Sequence, residues 1–355
     1  MNRKNILSIL LFLALMLLTF YTIFHGNDMN YVWQTIRKLQ PVYLVLAILT
    51  GIFFVSAEGL VFWYLFRALK CRASLLSCIK YAFIGFFFSG ITPSATGGQP
   101  MQLYHMKKAG LRIADSTVIL MTVALIYKLV LVLIGIGVLI FWYPSLRFYL
   151  ENYIYLYFLG LFLNTALVAA LLFIMVSPRC FHNLVLAGDK LLIKLHILKS
   201  SETRTKKLFD MADSYHEAVV FFLQHKKHIA VVTAFTFVQR FSVFFLTWLI
   251  YKGMGLSGHS MLTVIIIQAT VYIGVDMLPL PGAQGITELM YKTVFSVIFP
   301  GAYLTASMCI TRSINFYLLL ILSALITAVA TLLIRRVPLK KSAQDSRRRI
   351  SDNAF

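Results

Sequence analysis

Charge and catalytic signatures are what this 355-residue sequence has least of. Charged residues make up only 13% of it, where a soluble protein carries about 25%. Cysteine occurs four times, at Cys71, Cys78, Cys180 and Cys309, with no CxxC pair and no even framework. That spacing argues against both a disulfide scaffold and a metal cluster. HExxH, P-loop and GxSxG patterns are missing. His105, His182, His196, His216, His225, His228 and His259 are scattered without metal-ligand spacing. Neither soluble-type catalysis nor a cofactor is expected.

Apolar residues supply what charge does not. They form 59% of the chain, against roughly 45–50% in soluble proteins, and Phe alone occurs 29 times. No globular core of this size absorbs so much apolar surface, so the expected solvent is lipid. An almost unbroken apolar run covers 6–24 behind Asn2-Arg3-Lys4, with no cleavage site, and reads as a retained first helix. Further runs cover about 42–66, 75–91, 113–141, 150–176, 228–251, 259–278, 286–299 and 302–334. A helix needs about 20 residues to cross the hydrocarbon. The runs at 75–91 and 286–299 are short for that, and each adjoins a Pro/Gly cluster.

The net charge of +20 would suggest nucleic acid in a soluble chain, but here topology explains it. If the short runs belong to hairpins that leave on the side they enter, 25 of the 33 basic residues fall on one side. Only Arg37, Lys38, Arg147 and Lys252 fall on the other. The positive-inside rule then makes the first side cytoplasmic and puts both termini there. The segment 177–227 separates a first half, about 1–176, from a second, about 228–335. Leu208, Met211, Ala212, Tyr215, Val219 and Phe222 give its second part a helical apolar stripe, and 181–198 has a weaker one. Both read as interfacial helices. Residues 336–355 form a basic cytoplasmic tail.

Two breaks carry most of the information. One is Thr92-Pro93-Ser94-Ala95-Thr96-Gly97-Gly98-Gln99-Pro100; the other is Pro279-Leu280-Pro281-Gly282-Ala283-Gln284-Gly285. Each places prolines and glycines where a continuous helix would lose backbone bonds, which in lipid requires protein or a water-filled cavity. Gly97-Gly98-Gln99 and Gly282-Ala283-Gln284 match in kind. Paired breaks in two halves are the sign of an inverted-repeat transporter. The expected fold is therefore all-α and polytopic, with about 6–8 transmembrane helices and two re-entrant hairpins that enter from opposite sides and meet at their tips. The competing reading makes both breaks ordinary loops between full spans.

The wording TPSATGGQPMQLYHMKKAG at 92–110, followed downstream by PLPGAQGITE at 279–288, resembles the lysylphosphatidylglycerol synthase transmembrane family. That is the flippase-type membrane region of the bacterial multiple peptide resistance factor and its stand-alone relatives. The resemblance covers roughly 5–335. It implies a protein of the bacterial plasma membrane that handles phospholipids, lysyl-phosphatidylglycerol in the bifunctional members. Those members add a soluble domain that uses aminoacyl-tRNA; with the sequence ending at Phe355, that domain is expected to be absent.

Ionisable residues at membrane depth are costly and default to functional hypotheses. Lys128, Arg240 and Arg312 could neutralise a lipid phosphate, aided by backbone N–H groups where a helix restarts after a break. Asp276 and Glu288 flank the second break and could bind an ammonium, carry a proton, or pair with the buried bases. Glu58 is expected to be either a site residue or a structural partner. Gln99, Gln102, Gln268 and Gln284 can satisfy freed backbone. Gly97, Gly98 and Gly282 allow close approach to a head group. Gly135-Ile136-Gly137 reads as helix packing. The expected substrate-binding set is thus Gly97, Gly98, Gln99, Lys128, Arg240, Asp276, Gly282, Gln284, Glu288 and Arg312, gathered into one phosphate-binding cavity.

The function expected is transport of an anionic or aminoacylated phospholipid. The rivals are a membrane subunit of phosphatidylglycerol lysyltransferase, which would need a separate synthase partner, and a non-transporting scaffold. Homo-oligomerisation is left open.

Overall fold

The computed structural model describes residues 29–336, apart from 93–94, 218, 279, 284 and nearly all of 178–215. The expected first helix, most of the amphipathic segment and the basic tail lie outside the described residues. Every regular element described is helical. A short α1 (Met29–Arg37) precedes α2 (Pro41–Ala68), which Pro41 opens from its first turn. Next come α3 (Leu75–Ile91), capped by Ser74 Oγ accepting from the Ser77 N–H, and α4 (Gly98–Lys108). The first half continues with α5 (Ile113–Leu150), kinked at Trp142 just before Pro144, and α6 (Ile154–Val176).

The second half repeats the order long helix, short broken pair, long helix, with no counterpart of α6 among the described residues. It has α7 (Lys226–Gly253), a short α8 (Met261–Val275), a break, a short α9 (Ile286–Val294), and then α10 (Ala302–Arg312) and α11 (Leu319–Arg336). A π-helical turn, Ser313–Leu318, joins the last two into one rod. Among the described residues, five helices are long and apolar enough to cross a membrane: α2, α5, α6, α7 and the α10–α11 rod. Their outward residues include Phe141 and Tyr155, about four-fifths exposed, as suits a lipid-facing surface. The chain is a multi-pass membrane protein.

Side-chain contacts fix which ends lie together. The Tyr64 hydroxyl, near the end of α2, meets His228 Nδ1, near the start of α7, at 2.9 Å. At the other end, the Gln40 N–H donates to the Gly253 carbonyl at 3.0 Å. So α2 and α7 run antiparallel. Cys71, just past α2, donates to Asp115 Oδ2 at the start of α5 (3.1 Å). The whole α3–α4 segment therefore returns to the side it left. Likewise Tyr251, at the end of α7, accepts from the His259 N–H and packs edge-on against Phe299. That brings the α8–α9 segment back to the opposite side. Two hairpins enter the bundle from opposite ends.

Glycines let the limbs approach this closely. A Cβ at Gly59 on α2 would lie 2.7 Å from the Ile79 backbone nitrogen on α3. One at Gly160 on α6 would run into the Ile273 carbonyl of α8. Of Gly135-Ile136-Gly137, Gly135 serves helix packing as expected, its carbonyl accepting from the Tyr157 hydroxyl at 2.7 Å, whereas Gly137 faces open space and Ile136 is exposed.

Candidate functional site

The first tip is closed by Thr92, whose hydroxyl donates to the Phe88 carbonyl (2.6 Å) and accepts from the Gly97 N–H (2.9 Å). The second tip turns through Gly282 and Gly285, whose φ of 59° and 83° lie in the region that glycine occupies without strain. The turn at 281–283 packs on α3. Phe316, in the π-helical turn, lies between the two tips: side chains added at Gly90 or at Gly282 would both meet its ring. The hairpins abut across one buried aromatic residue.

Three polar junctions tie the hairpins to the long helices. At the first, Gln102 of α4 donates to Glu58 Oε1 of α2 at 2.9 Å. At the second, Lys128 Nζ of α5 pairs with Asp276 at the end of α8 and lies 3.1 Å from Met277 Sδ. At the third, Arg312 Nε pairs with Glu288 of α9 at 2.6 Å, while its Nη2 donates to the Gly282 carbonyl at 3.1 Å. Glu288 also accepts from the Gly285 N–H at 2.7 Å, so the start of α9 is filled by its own carboxylate.

Arg240 is 1% exposed and sits between the first two junctions. Its guanidinium lies 3.4 Å from the Tyr127 ring centre and 4.8 Å from that of Phe54. Nη1 reaches the Tyr272 hydroxyl at 3.4 Å, whereas Nε has no hydrogen-bond partner among the described residues. Tyr127 and Tyr272 share a hydrogen bond at 2.7 Å, and Tyr127 donates on to Asp276 at 3.3 Å. A stacked guanidinium is stabilised by the negative ring face, an interaction worth about 2 kcal/mol when desolvated.

The sequence-expected residues divide accordingly. Lys128 and Asp276 are together; so are Glu288, Arg312 and Gly282; Arg240 stands apart in its aromatic enclosure. The bases do not converge on one open phosphate cavity, because Lys128 and Arg312 already hold carboxylates. Gly98 is buried, and a side chain there would collide with Ser89 Oγ and approach the Gly85 carbonyl, so it serves α3–α4 packing. Gly97 is half-buried and Gln99 exposed. Gln284 lies outside the described residues. Gln268 accepts from Thr247 at 3.1 Å, a structural role.

Tyr127 and Tyr272 escaped the sequence reading. Their signal was positional: Tyr127 adjoins Lys128, and Tyr272 precedes Asp276 by four residues, on the same helical face. Outside the spans, the Cys71–Asp115–Arg112 contact is the clearest electrostatic feature. Burial and the Asp115 carboxylate push the Cys71 thiol up to about 11, and Asp115 holds the Arg112 guanidinium above its ordinary value.

No curated protein matches the chain. The model of the lysylphosphatidylglycerol synthase TM region does, over residues 5–323. That match spans both breaks, all three polar junctions and each of the five long helices, apart from the last residues of the final rod. The chain belongs to the lysylphosphatidylglycerol synthase transmembrane family.

Proposed function

We propose that the protein moves a phospholipid head group across a bacterial plasma membrane. The supporting observation is the pair of hairpins from opposite sides, abutting at Phe316 and held by three buried polar junctions. A translocation path needs polar groups at depth that satisfy one another when empty and a head group when loaded. Lys128 and Arg312 hold carboxylates that a lipid phosphate can replace. Asp276 and Glu288, once released, can hold the ammonium of an aminoacylated head group. An anionic or aminoacylated lipid such as lysyl-phosphatidylglycerol fits both exchanges. The site set remains Gly97, Gly98, Gln99, Lys128, Arg240, Asp276, Gly282, Gln284, Glu288 and Arg312, with Tyr127 and Tyr272 added.

The test is head-group translocation in reconstituted vesicles, followed with a head-group-labelled phosphatidylglycerol and an impermeant quencher. The parent should outpace protein-free vesicles. Arg240→Gln and Arg312→Gln should slow it at least tenfold while remaining inserted. A parent that moves no lipid, labelled or lysylated, would sink the reading. The family name favours one rival, a membrane component of lysyl transfer to phosphatidylglycerol. Lysylated product formed from aminoacyl-tRNA by the purified chain would establish that rival instead.

A further inference from the structure

Three acids lie at membrane depth, and two have contacting bases: Asp276 holds Lys128, and Glu288 holds Arg312. Glu58 differs. Among the described residues no cation contacts it, and its hydrogen bond comes from the neutral amide of Gln102. The packing makes this contact deliberate. Gly85 on α3 lacks the side chain that would displace the Gln102 amide, and Gln102 is itself only 3% exposed. Glu58 is partly rather than fully buried.

The groups around Glu58 can be named helix by helix. From α7 comes Arg240, which acts on Glu58 electrostatically without contact, and from α4 the Gln102 amide. From α3 comes Ile79, packed on the neighbouring Gly59. Beyond Arg240, from α5, lie Tyr127, on whose ring Arg240 stacks, and Lys128, already bound to Asp276. Among the described residues Arg240 is the counterpart of Glu58: a base that no carboxylate contacts, its Nε without a hydrogen-bond partner. Arginine does not give up its proton in proteins. The balance of the cluster therefore rests on Glu58. With Glu58 ionised, the Lys128–Asp276 pair, joined to Arg240 through Tyr127, and the Glu58–Arg240 couple sum to zero. With Glu58 protonated, the cluster carries one net positive charge, which an anion can neutralise.

We propose that Glu58 is a proton-binding site linked to head-group binding, so that one proton is taken up with each anionic lipid head group. The proton comes from water and settles on Oε2, leaving Oε1 to accept from Gln102. The head group's negative charge then replaces that of Glu58 opposite Arg240. Linkage is reciprocal, so anion affinity rises as pH falls through the range where Glu58 titrates. This rests on the reading that the cluster receives an anionic lipid.

The experiment uses the full chain in phosphatidylcholine nanodiscs, titrated with short-chain phosphatidylglycerol. Calorimetry in two buffers of different ionisation enthalpy reads the protons taken up per lipid bound. The parent should approach one, with affinity falling about tenfold per pH unit above the titration range, the slope for one linked proton. Glu58→Gln should still bind, with uptake lost and affinity flat with pH. Infrared difference spectra should show a lipid-induced protonated-carboxyl band, absent in Glu58→Gln and shifted in Glu58→Asp. If Glu58→Gln does not fold, the band shift in Glu58→Asp decides. Binding without proton uptake, uptake that persists in Glu58→Gln, an unshifted band in Glu58→Asp, or no binding by the parent would each overturn the proposal. Linked uptake in a protein that moves no lipid would instead sink the transport reading and leave the proton site standing.

Discussion

At the scale of single residues, the energetics turn on how each buried charge is compensated. Lys128 and Asp276 are both largely buried and in direct contact, so removing one leaves the other with a desolvation cost nothing offsets. Lys128→Met should destabilise the protein by about 3–5 kcal/mol, the usual cost of breaking a buried pair from one side. Lys128→Met combined with Asp276→Asn should recover much of that loss. Thermal denaturation of the single and double variants in detergent checks the coupling; additive losses would mean the pair is incidental. Cys71 offers a second test, on the membrane surface. With its thiol pushed up to about 11 by burial and by Asp115, little thiolate exists near neutrality. At pH 8 the fraction is roughly one in a thousand, against about one in four for a free thiol near 8.5. Alkylation at pH 8 should therefore be at least a hundredfold slower than at an exposed cysteine. Asp115→Asn, which removes the carboxylate that favours the thiol form, should speed it.

Between elements, glycine sets how near two helices come. Gly59 faces the backbone of Ile79, which cannot move aside as a side chain can, whereas Gly137 has nothing within 4 Å of its would-be Cβ. Gly59→Ala should cost about 1–3 kcal/mol by overpacking the α2–α3 contact. Gly137→Ala should be neutral or stabilise by up to about 1 kcal/mol through helix propensity alone. Denaturation midpoints of the two variants, measured side by side, check the difference. Equal effects would show that the α2–α3 approach is looser than described. The same contrast explains what the sequence made legible. Both breaks were plain, because proline and glycine clusters interrupt apolar runs that otherwise continue, and the short runs beside them flagged limbs rather than spans. Which acid meets which base was not legible. Lys128 meets Asp276 across 148 positions of sequence, and no local pattern encodes that distance. The packing at Gly98 was illegible for a related reason: a glycine beside a break does not announce which partner helix lies against it. The tyrosines around Arg240 were lost among the 18 in the chain, where an aromatic in an apolar helix carries no distinguishing mark.

On the scale of the molecule, the hairpins and the charge distribution constrain each other. The contacts place Lys108 and Arg112 at the end of the bundle shared by the finish of α2 and the start of α7. They place Lys252 at the other end, beside Gln40. The end holding Lys108 also receives Arg67, Lys70 and Arg72, and by the positive-inside rule we propose that this end faces the cytoplasm. Had the breaks been loops between full spans, Lys107, Lys108 and Arg112 would face outward, against that rule. Single cysteines at 108, 147 and 252, in a background without native cysteines, separate the two arrangements. Lys108→Cys should react with an impermeant maleimide only from the cytoplasmic side, and Arg147→Cys and Lys252→Cys only from outside. If all three were reversed, the orientation would be wrong while the opposed hairpins survived. If 108 and 252 reacted from the same side, α3–α4 and α8–α9 could not both be re-entrant from opposite ends, and the meeting of their tips at Phe316 would lose its basis.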